Sequence, residues 1–246
     1  MKIWALGFLA LVGLAGVAID AAMAPAMAQD YKAVLAAPDR SEADRSMDDK
    51  RKAFELLSFV APKTGARVLD MGAGGGYSTE LMARAVGPTG KVIAQNGSAS
   101  ERFDARAKTS AMSPAMAQVQ LAVRPFDDPL PAGTEPLDLI TFFFAYHDTT
   151  FMAVDRAKMN KAMFDALKPG GYLVIADHSA RAGEGTSVGK TTHRIEESAL
   201  VAEVTAAGFK LVGSADFLRN PADPRDVSVN RSGIQNDEFV LKFQKP

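Results

Sequence analysis

Short apolar runs alternate along the chain with stretches whose apolar residues recur at helical spacing, a pattern that predicts an α/β protein built on one sheet. The strand-like runs are Arg67–Met71, Lys91–Gln95, Val119–Val123, Leu137–Phe143, Tyr172–Asp177, Phe209–Phe217 and Glu238–Gln244. Helical patterns fall at Tyr77–Val86, Ala99–Met112, Phe151–Leu167 and Glu196–Ala207, closed in turn by Gly87-Pro88, Pro114, Lys168-Pro169-Gly170-Gly171 and Gly208. Among the first six runs, only the segment between the third and fourth lacks a helix. Strands joined by helical crossovers run parallel and are covered on both faces. The last two runs are joined instead by Arg219 to Asp237, rich in Asn, Pro, Asp and Ser. A seven-stranded, mostly parallel sheet with an antiparallel last strand is therefore expected, and so long a connection is more often functional or mobile than idle. Within Phe142-Phe143-Phe144, strand alternation puts Phe143 on one face and Phe142 with Phe144 on the other.

Upstream, residues 29–64 form a polar-rich helical segment whose apolar stripe is Phe54, Leu56, Leu57, Phe59 and Val60, ended by Pro62 and Gly65. It reads as a helix laid against the main domain of residues 65–246. Residues 1–28 have the order of a secretory signal peptide: Lys2, an apolar run from Ile3 to Ile19, then Ala26-Met27-Ala28. Cleavage after Ala28 predicts a periplasmic protein with no stable membrane association; the rival is an uncleaved anchor, because the run approaches spanning length. Removing Lys2 and Asp20 leaves the net charge of -1 unchanged.

Composition narrows the partners. With 28 Lys and Arg against 29 Asp and Glu, and no basic block longer than Lys50-Arg51-Lys52, nothing marks a nucleic-acid surface. The chain has no cysteine, which excludes disulfides, thiolate metal sites and a Cys nucleophile. Its 246 residues, 47% hydrophobic, suffice for a core without such staples.

The stretch Asp70-Met71-Gly72-Ala73-Gly74-Gly75-Gly76 stands where a strand hands over to a helix, a position where glycines permit tight turning and close backbone approach to a ligand. A dinucleotide fingerprint G-x-G-x-x-G would need glycine at 77 or 79, which are Tyr77 and Thr79, so that reading fails on spacing. The residues match D-x-G-x-G-x-G. With the Leu167-Lys168-Pro169-Gly170-Gly171 turn, the strand order and the reversed last strand, this resembles the Rossmann-like fold of class I S-adenosylmethionine-dependent methyltransferases. More narrowly, Gly75 to Glu80, Gly90 to Asn96, His193 to Glu196 and Leu218 to Asp223 resemble a bacterial group of exported methyltransferase-like proteins.

The resemblance implies S-adenosylmethionine as cofactor, with Asp70, Gly72, Gly74 and Gly76 around its positively charged methionine part. The alternative for Asp70 is a cap on the following helix turn. Methyltransferases of this class usually end the second strand with an acid that takes the ribose hydroxyls; here the residues are Gln95 and Asn96, whose neutral amides bind more weakly. Asp127, in Phe126-Asp127-Asp128, is assigned to the adenine amino group, with a plain turn as its rival reading.

All three histidines, His147, His178 and His193, fall in segments expected at the carboxyl ends of the strands, the edge where open sheets bind ligands. His147, beside Tyr146 and Asp148, is the first candidate for a general base that deprotonates an acceptor oxygen or nitrogen, and His193 the second. The loop Gly183-Glu184-Gly185 before His193 could close over the substrate. A metal held by His147, Asp148, His178 and His193 competes with this reading, but their dispersed spacing lacks the local pairing of a helical zinc motif, and no metal ligand is assigned. The activity expected is methyl transfer to a small molecule. A different class of function, a non-catalytic exported binding protein that keeps the fold, is the alternative suggested by the leader and the neutral second motif.

Overall fold

A computed structural model describes residues 1, 30–110 and 114–246. The signal-peptide expectation lies outside these residues, apart from Met1. No described helix is long and apolar enough to cross a membrane.

Seven strands, β1 (Arg67–Met71), β2 (Lys91–Asn96), β3 (Val119–Val123), β4 (Leu137–Phe143), β5 (Leu167–His178), β6 (Lys210–Ala215) and β7 (Glu238–Gln244), form one sheet in the order β3-β2-β1-β4-β5-β7-β6. The first five pair in parallel, and β7 inserts antiparallel between β5 and β6. That order reverses direction at β1, so the crossovers to β2 and to β4 leave on opposite faces and open a crevice at the carboxyl ends of the strands. β5 begins earlier than its sequence pattern suggests. The Lys168 to Gly171 turn is drawn into the sheet edge through Gly170, at φ +80°, and a register shift opposite Leu137 and Leu139.

Alternation along each strand divides the core into two layers. Leu69, Met71, Ile140 and Phe142 face Met159 and Met163 of α6 (Arg156–Ala166) and Leu200 and Val204 of α8 (Glu197–Ala206). Val68, Val92, Leu139 and Phe143 face α3 (Ala53–Val60) and α4 (Tyr77–Val86). Phe103 of α5 (Glu101–Ser110) closes a smaller cluster with Ala73 and Ala94. The C-terminal end expected for α5, at Met112, falls outside the described residues.

The structure corrects two expectations. Residues 30–64 hold three short helices rather than one: α1 (Tyr31–Ala36), α2 (Glu42–Asp48) and α3, interrupted by Pro38 and by a left-handed Lys52 at φ +46°. Phe144 does not share the face of Phe142. The strand ends at Phe143, and Phe144 turns at φ +57°, a conformation rare for a bulky residue, to pack with the α3 and α4 layer.

Candidate functional site

The glycine loop is built from both sides of β1. Gly72, Gly74 and Gly76 adopt φ of +61°, +57° and +85°. A Cβ on Gly72 would sit 2.9 Å from Ala145 Cβ, and one on Gly76 2.9 Å from Arg106 Cδ, so side chains there would push out the segments that wall the loop. Asp70 lies directly beneath it, fully buried. Its Oδ2 accepts from Ser78 Oγ at 2.8 Å and Thr79 Oγ1 at 2.6 Å, and its Oδ1 from Thr141 Oγ1 at 2.8 Å. The last bond follows from register, since Asp70 and Thr141 are paired across β1 and β4. Burial pushes the Asp70 carboxyl up, with the three hydroxyls opposing.

Gln95 and Asn96 end β2 with their amides turned on the same loop. Gln95 Oε1 accepts from Gly72 N at 3.0 Å while its Nε2 donates to Arg124 O, and Asn96 Oδ1 accepts from Gly74 N at 2.7 Å while its Nδ2 donates to Gly74 O. Both are buried, and both act as braces of the loop backbone. Phe126 is also brought here: it stacks on Phe142 at 5.8 Å and would meet a Cβ on Gly72 or Gly97. The side chain of Asp127 pairs with Lys158 Nζ at 3.6 Å.

Across the shared wall at Ala145, the segment after β4 carries a 3-10 turn, His147–Thr150. The three histidines are drawn together there: ring centroids of His178 and His193 each lie 5.5 Å from that of His147. His147 is buried and held by Asp177, the penultimate residue of β5. Asp177 Oδ1 is 2.7 Å from His147 Nδ1, its Oδ2 accepts from His147 N at 2.8 Å, and Oδ1 also accepts from His178 N. On the other side, Asp148 Oδ1 lies 3.2 Å from His147 Nε2 and 3.3 Å from His193 Nδ1. Burial alone would lower the His147 pKa, but the Asp177 and Asp148 carboxylates reverse this and raise it to about 10. With no cation on Nε2, His147 so placed is an imidazolium at neutral pH and has no lone pair with which to take a proton. His193, one-third exposed, is the member of the cluster that faces solvent.

His178 faces a second space. Its Nδ1 is 2.9 Å from Glu238 Oε1, but off the direction a hydrogen bond needs, and it makes no hydrogen bond. Together with Lys50, Arg51, Phe144, Asn230, Asn236 and Glu238 it lines a polar cavity of about 140 Å³. The half-buried Arg51 guanidinium lies 4.5 Å from the Phe144 ring centre and 5.7 Å from that of Tyr77, with no acidic partner at ion-pair distance among the described residues. Burial lowers its pKa, with the Glu238 charge partly opposing. The connection after β6 walls this cavity and is tied down by Arg194, itself fully buried, at 2.9 Å from Asp223. Glu196 similarly holds the Gly183 to Gly185 loop, accepting from both glycine N–H groups at 2.9 Å. A roomier cavity, about 780 Å³, opens beside Lys63, Asp138, Lys168 and Tyr172 at the opposite edge of the sheet, away from these side chains.

Asp177, Arg51 and Phe144 are site residues that the sequence pattern does not single out. The available signal was an acid at the end of a buried strand, Asp177, followed directly by a histidine.

Residues 68–171 match a family model described as a methyltransferase domain. The trans-aconitate 2-methyltransferase of Variovorax paradoxus is 32% identical over 170 residues, covering 69% of this chain, and the chain spans 56% of that relative's length. A SAM-dependent methyltransferase from Aquifex aeolicus superposes with a TM-score of 0.57 at 19% identity, over 88% of this chain and 99% of that one. The cyclase SpnF superposes at 0.62 and 16%, over 80% and 81%. At these identities the structural likeness speaks for the fold alone, and the fold is that of class I methyltransferases. The fold and the matched domain imply S-adenosylmethionine as cofactor.

The glycine loop fits that group. Gly74 leaves its flank open, with only Gly72 O, 3.9 Å away, near an added Cβ, while the neighbouring glycines are closed in by side chains. The fit at the second motif is looser, because the Asn96 amide already serves Gly74 on both its atoms.

Proposed function

We propose that this chain is an S-adenosylmethionine-dependent methyltransferase acting on an oxygen or nitrogen of a small molecule, and that it works in the periplasm after loss of residues 1–28. The observation that carries the reading is the shared wall. Gly72 of the cofactor loop abuts Ala145, two residues before His147, so a group held on the loop faces the histidine cluster. When bound, S-adenosylmethionine supplies an electrophilic methyl group on a sulfonium. Everything else falls to the chain. Gln95 and Asn96 fix the loop's backbone, Asp70 ties α4 and β4 beneath it, Phe126 closes the space beside it, and Asp177 and Asp148 hold the free His147 charged. His193, not His147, is then the imidazole placed to receive an acceptor proton.

The acceptor enters through the cavity beside His178. Arg51, lacking an acidic partner among the described residues, suits an anionic group there, and a carboxylate-bearing acceptor is consistent with the name of the Variovorax relative.

Calorimetry of the mature chain with S-adenosylmethionine and S-adenosylhomocysteine tests the reading. Heat and a thermal shift are expected; neither at millimolar ligand would sink it in favour of a non-catalytic protein. The mass recovered from a periplasmic extract tests the compartment, and a mass that includes residues 1–28 would mean an anchor.

A further inference from the structure

We propose that His147 Nε2, Asp148 Oδ1 and His193 Nδ1 are three ligands of a divalent transition ion of the zinc class, with a further position open toward the acceptor. The three atoms all lie within 4.8 Å of one another. The two separations from Asp148 Oδ1, 3.2 Å and 3.3 Å, are the decisive observation. Charge-assisted hydrogen bonds between nitrogen and oxygen run about 2.7–2.9 Å, as the Asp177 contact to His147 does at 2.7 Å. The edge of a tetrahedron with metal bonds of about 2.0 Å is about 3.3 Å. Asp148 Oδ1 therefore stands at ligand spacing from both imidazoles, longer than a strong ion pair although its contact with His193 Nδ1 keeps hydrogen-bond geometry, and the two imidazole nitrogens, within 4.8 Å of each other, would draw in around a bound ion.

The surroundings fit a metal centre in three further ways. Asp177, fully buried, takes the Nδ1 side of His147 and also its backbone N–H, which fixes the tautomer and leaves Nε2 to point at the centre. Such a carboxylate behind a ligating histidine is the usual outer support of an imidazole ligand. His193 closes the short helix α7 (Gly189–Thr192) in a left-handed conformation, φ +56°, with its N–H on Gly189 O, and its ring lies 5.5 Å from that of His147. The two ligand-bearing segments meet at Gly189. A Cβ there would run into Thr150 Oγ1 and come within 2.7 Å of His147 O, so glycine is what lets His193 approach His147. Two imidazoles and a carboxylate, with no thiolate, form a nitrogen-rich set that suits Zn²⁺ or Fe²⁺ over Mg²⁺ or Ca²⁺.

Occupancy of this site does not depend on methyl transfer, but its role rests on that reading. With the ion in place, both imidazoles would be neutral ligands, His147 having released its Nε2 proton on binding, and His193 would no longer take the acceptor proton: an acceptor hydroxyl bound at the open position would lose it to solvent at lower pH, its electron pair staying on the oxygen that attacks. The same charge would account for two histidines and two acids gathered where one base would serve.

The test uses the full chain purified without a polyhistidine tag. Elemental analysis should find stoichiometric zinc or iron, and the chelated protein should bind Zn²⁺ in calorimetry with no S-adenosylmethionine present. His193→Ala and Asp148→Asn, both at partly exposed positions, should fold and lose the ion, and Asp177→Asn should weaken it roughly 10- to 100-fold. His178→Gln leaves all three ligands in place and should retain it. No binding of Zn²⁺, Mn²⁺ or Fe²⁺ at submillimolar concentration would overturn the proposal, as would a His193→Ala, Asp148→Asn double variant that binds with unchanged affinity. Zinc bound without any S-adenosylmethionine binding would leave the site standing and remove the methyl-transfer reading; the reverse result would remove only the site.

Discussion

Asp70 carries no direct path to solvent, yet three hydroxyls from two different elements converge on it. Its work is to lock the start of α4 and the end of β4 to β1, so that the glycine loop has a fixed floor. Asp70→Ala should strand two buried hydroxyls, Thr79 and Thr141, and the half-buried one of Ser78, and lower stability by about 3 kcal/mol, with cofactor binding lost as the loop relaxes; denaturant unfolding and calorimetry check both. Asp70→Asn keeps one acceptor oxygen and should be milder. Arg51 makes the opposite case, a cation with no acid at ion-pair distance among the described residues, Glu238 acting on it only across the cavity. Arg51→Met should raise KM for a carboxylate acceptor by roughly tenfold or more and leave kcat nearly unchanged, since a charged hydrogen bond contributes about 1.5–3 kcal/mol to binding. Equal KM values for charged and neutral acceptors would remove the anion subsite. The spacing D-x-G-x-G-x-G made Asp70 visible as a residue. Its actual partners were not, because Thr141 becomes its neighbour only through the β1 and β4 register, 71 residues away in sequence.

Between elements, one guanidinium ties three parts of the chain together. Arg106 of α5 donates from Nε to Gly75 O at 2.7 Å, makes two bonds to Asp44 of α2, and reaches Glu80 of α4 at 2.5 Å. The N-terminal helices are thereby anchored to the glycine loop itself. Arg106→Met should leave Asp44 as a buried acid without its ion-pair partner, while Glu80 keeps Arg84 at 2.8 Å, and destabilise the chain by about 3 kcal/mol, measured by chemical denaturation. The pair also sets a pH dependence. Burial would raise the Asp44 pKa, but the hydrogen bonds and charge of Arg106 more than offset this and hold it below its ordinary value. With a folded pKa below the unfolded ~3.9, the unfolded chain takes up the proton first as pH falls. The stabilisation from Asp44 is thus complete above about pH 4 and lost through the lower folded pKa, a loss that Arg106→Met should abolish in acid-denaturation curves. The boundaries of α4, β1, β3, β4 and β7 were legible from period and punctuation. The three-way break of residues 29–64 was not, because a left-handed Lys52 and a turn around Pro38 are settled by what the short helices pack against.

At the scale of the whole molecule, the sheet order is what turns distant residues into a site. His147, His178 and His193 sit on separate segments, so no local spacing in the sequence marks them as neighbours. β4 and β5, side by side and parallel, bring Asp177 under His147, and the Ser179 to Ile195 bridge returns His193 to the same edge. The glycine loop and this cluster then share the contact between Gly72 and Ala145, so a ligand on the loop should be felt on both sides of it. Hydrogen exchange with saturating S-adenosylhomocysteine tests that coupling. A ligand at about 100 times its Kd stabilises the bound form by about 2.7 kcal/mol, so amides that open only when the site opens should slow by roughly 100-fold. Protection is expected in residues 72–76 and again in 145–150, and not around the cavity beside Lys63 and Lys168 at the far edge. Protection confined to the loop would mean that cofactor and histidine cluster are neighbours without being one site, and the acceptor would have to be sought elsewhere along the carboxyl edge of the sheet.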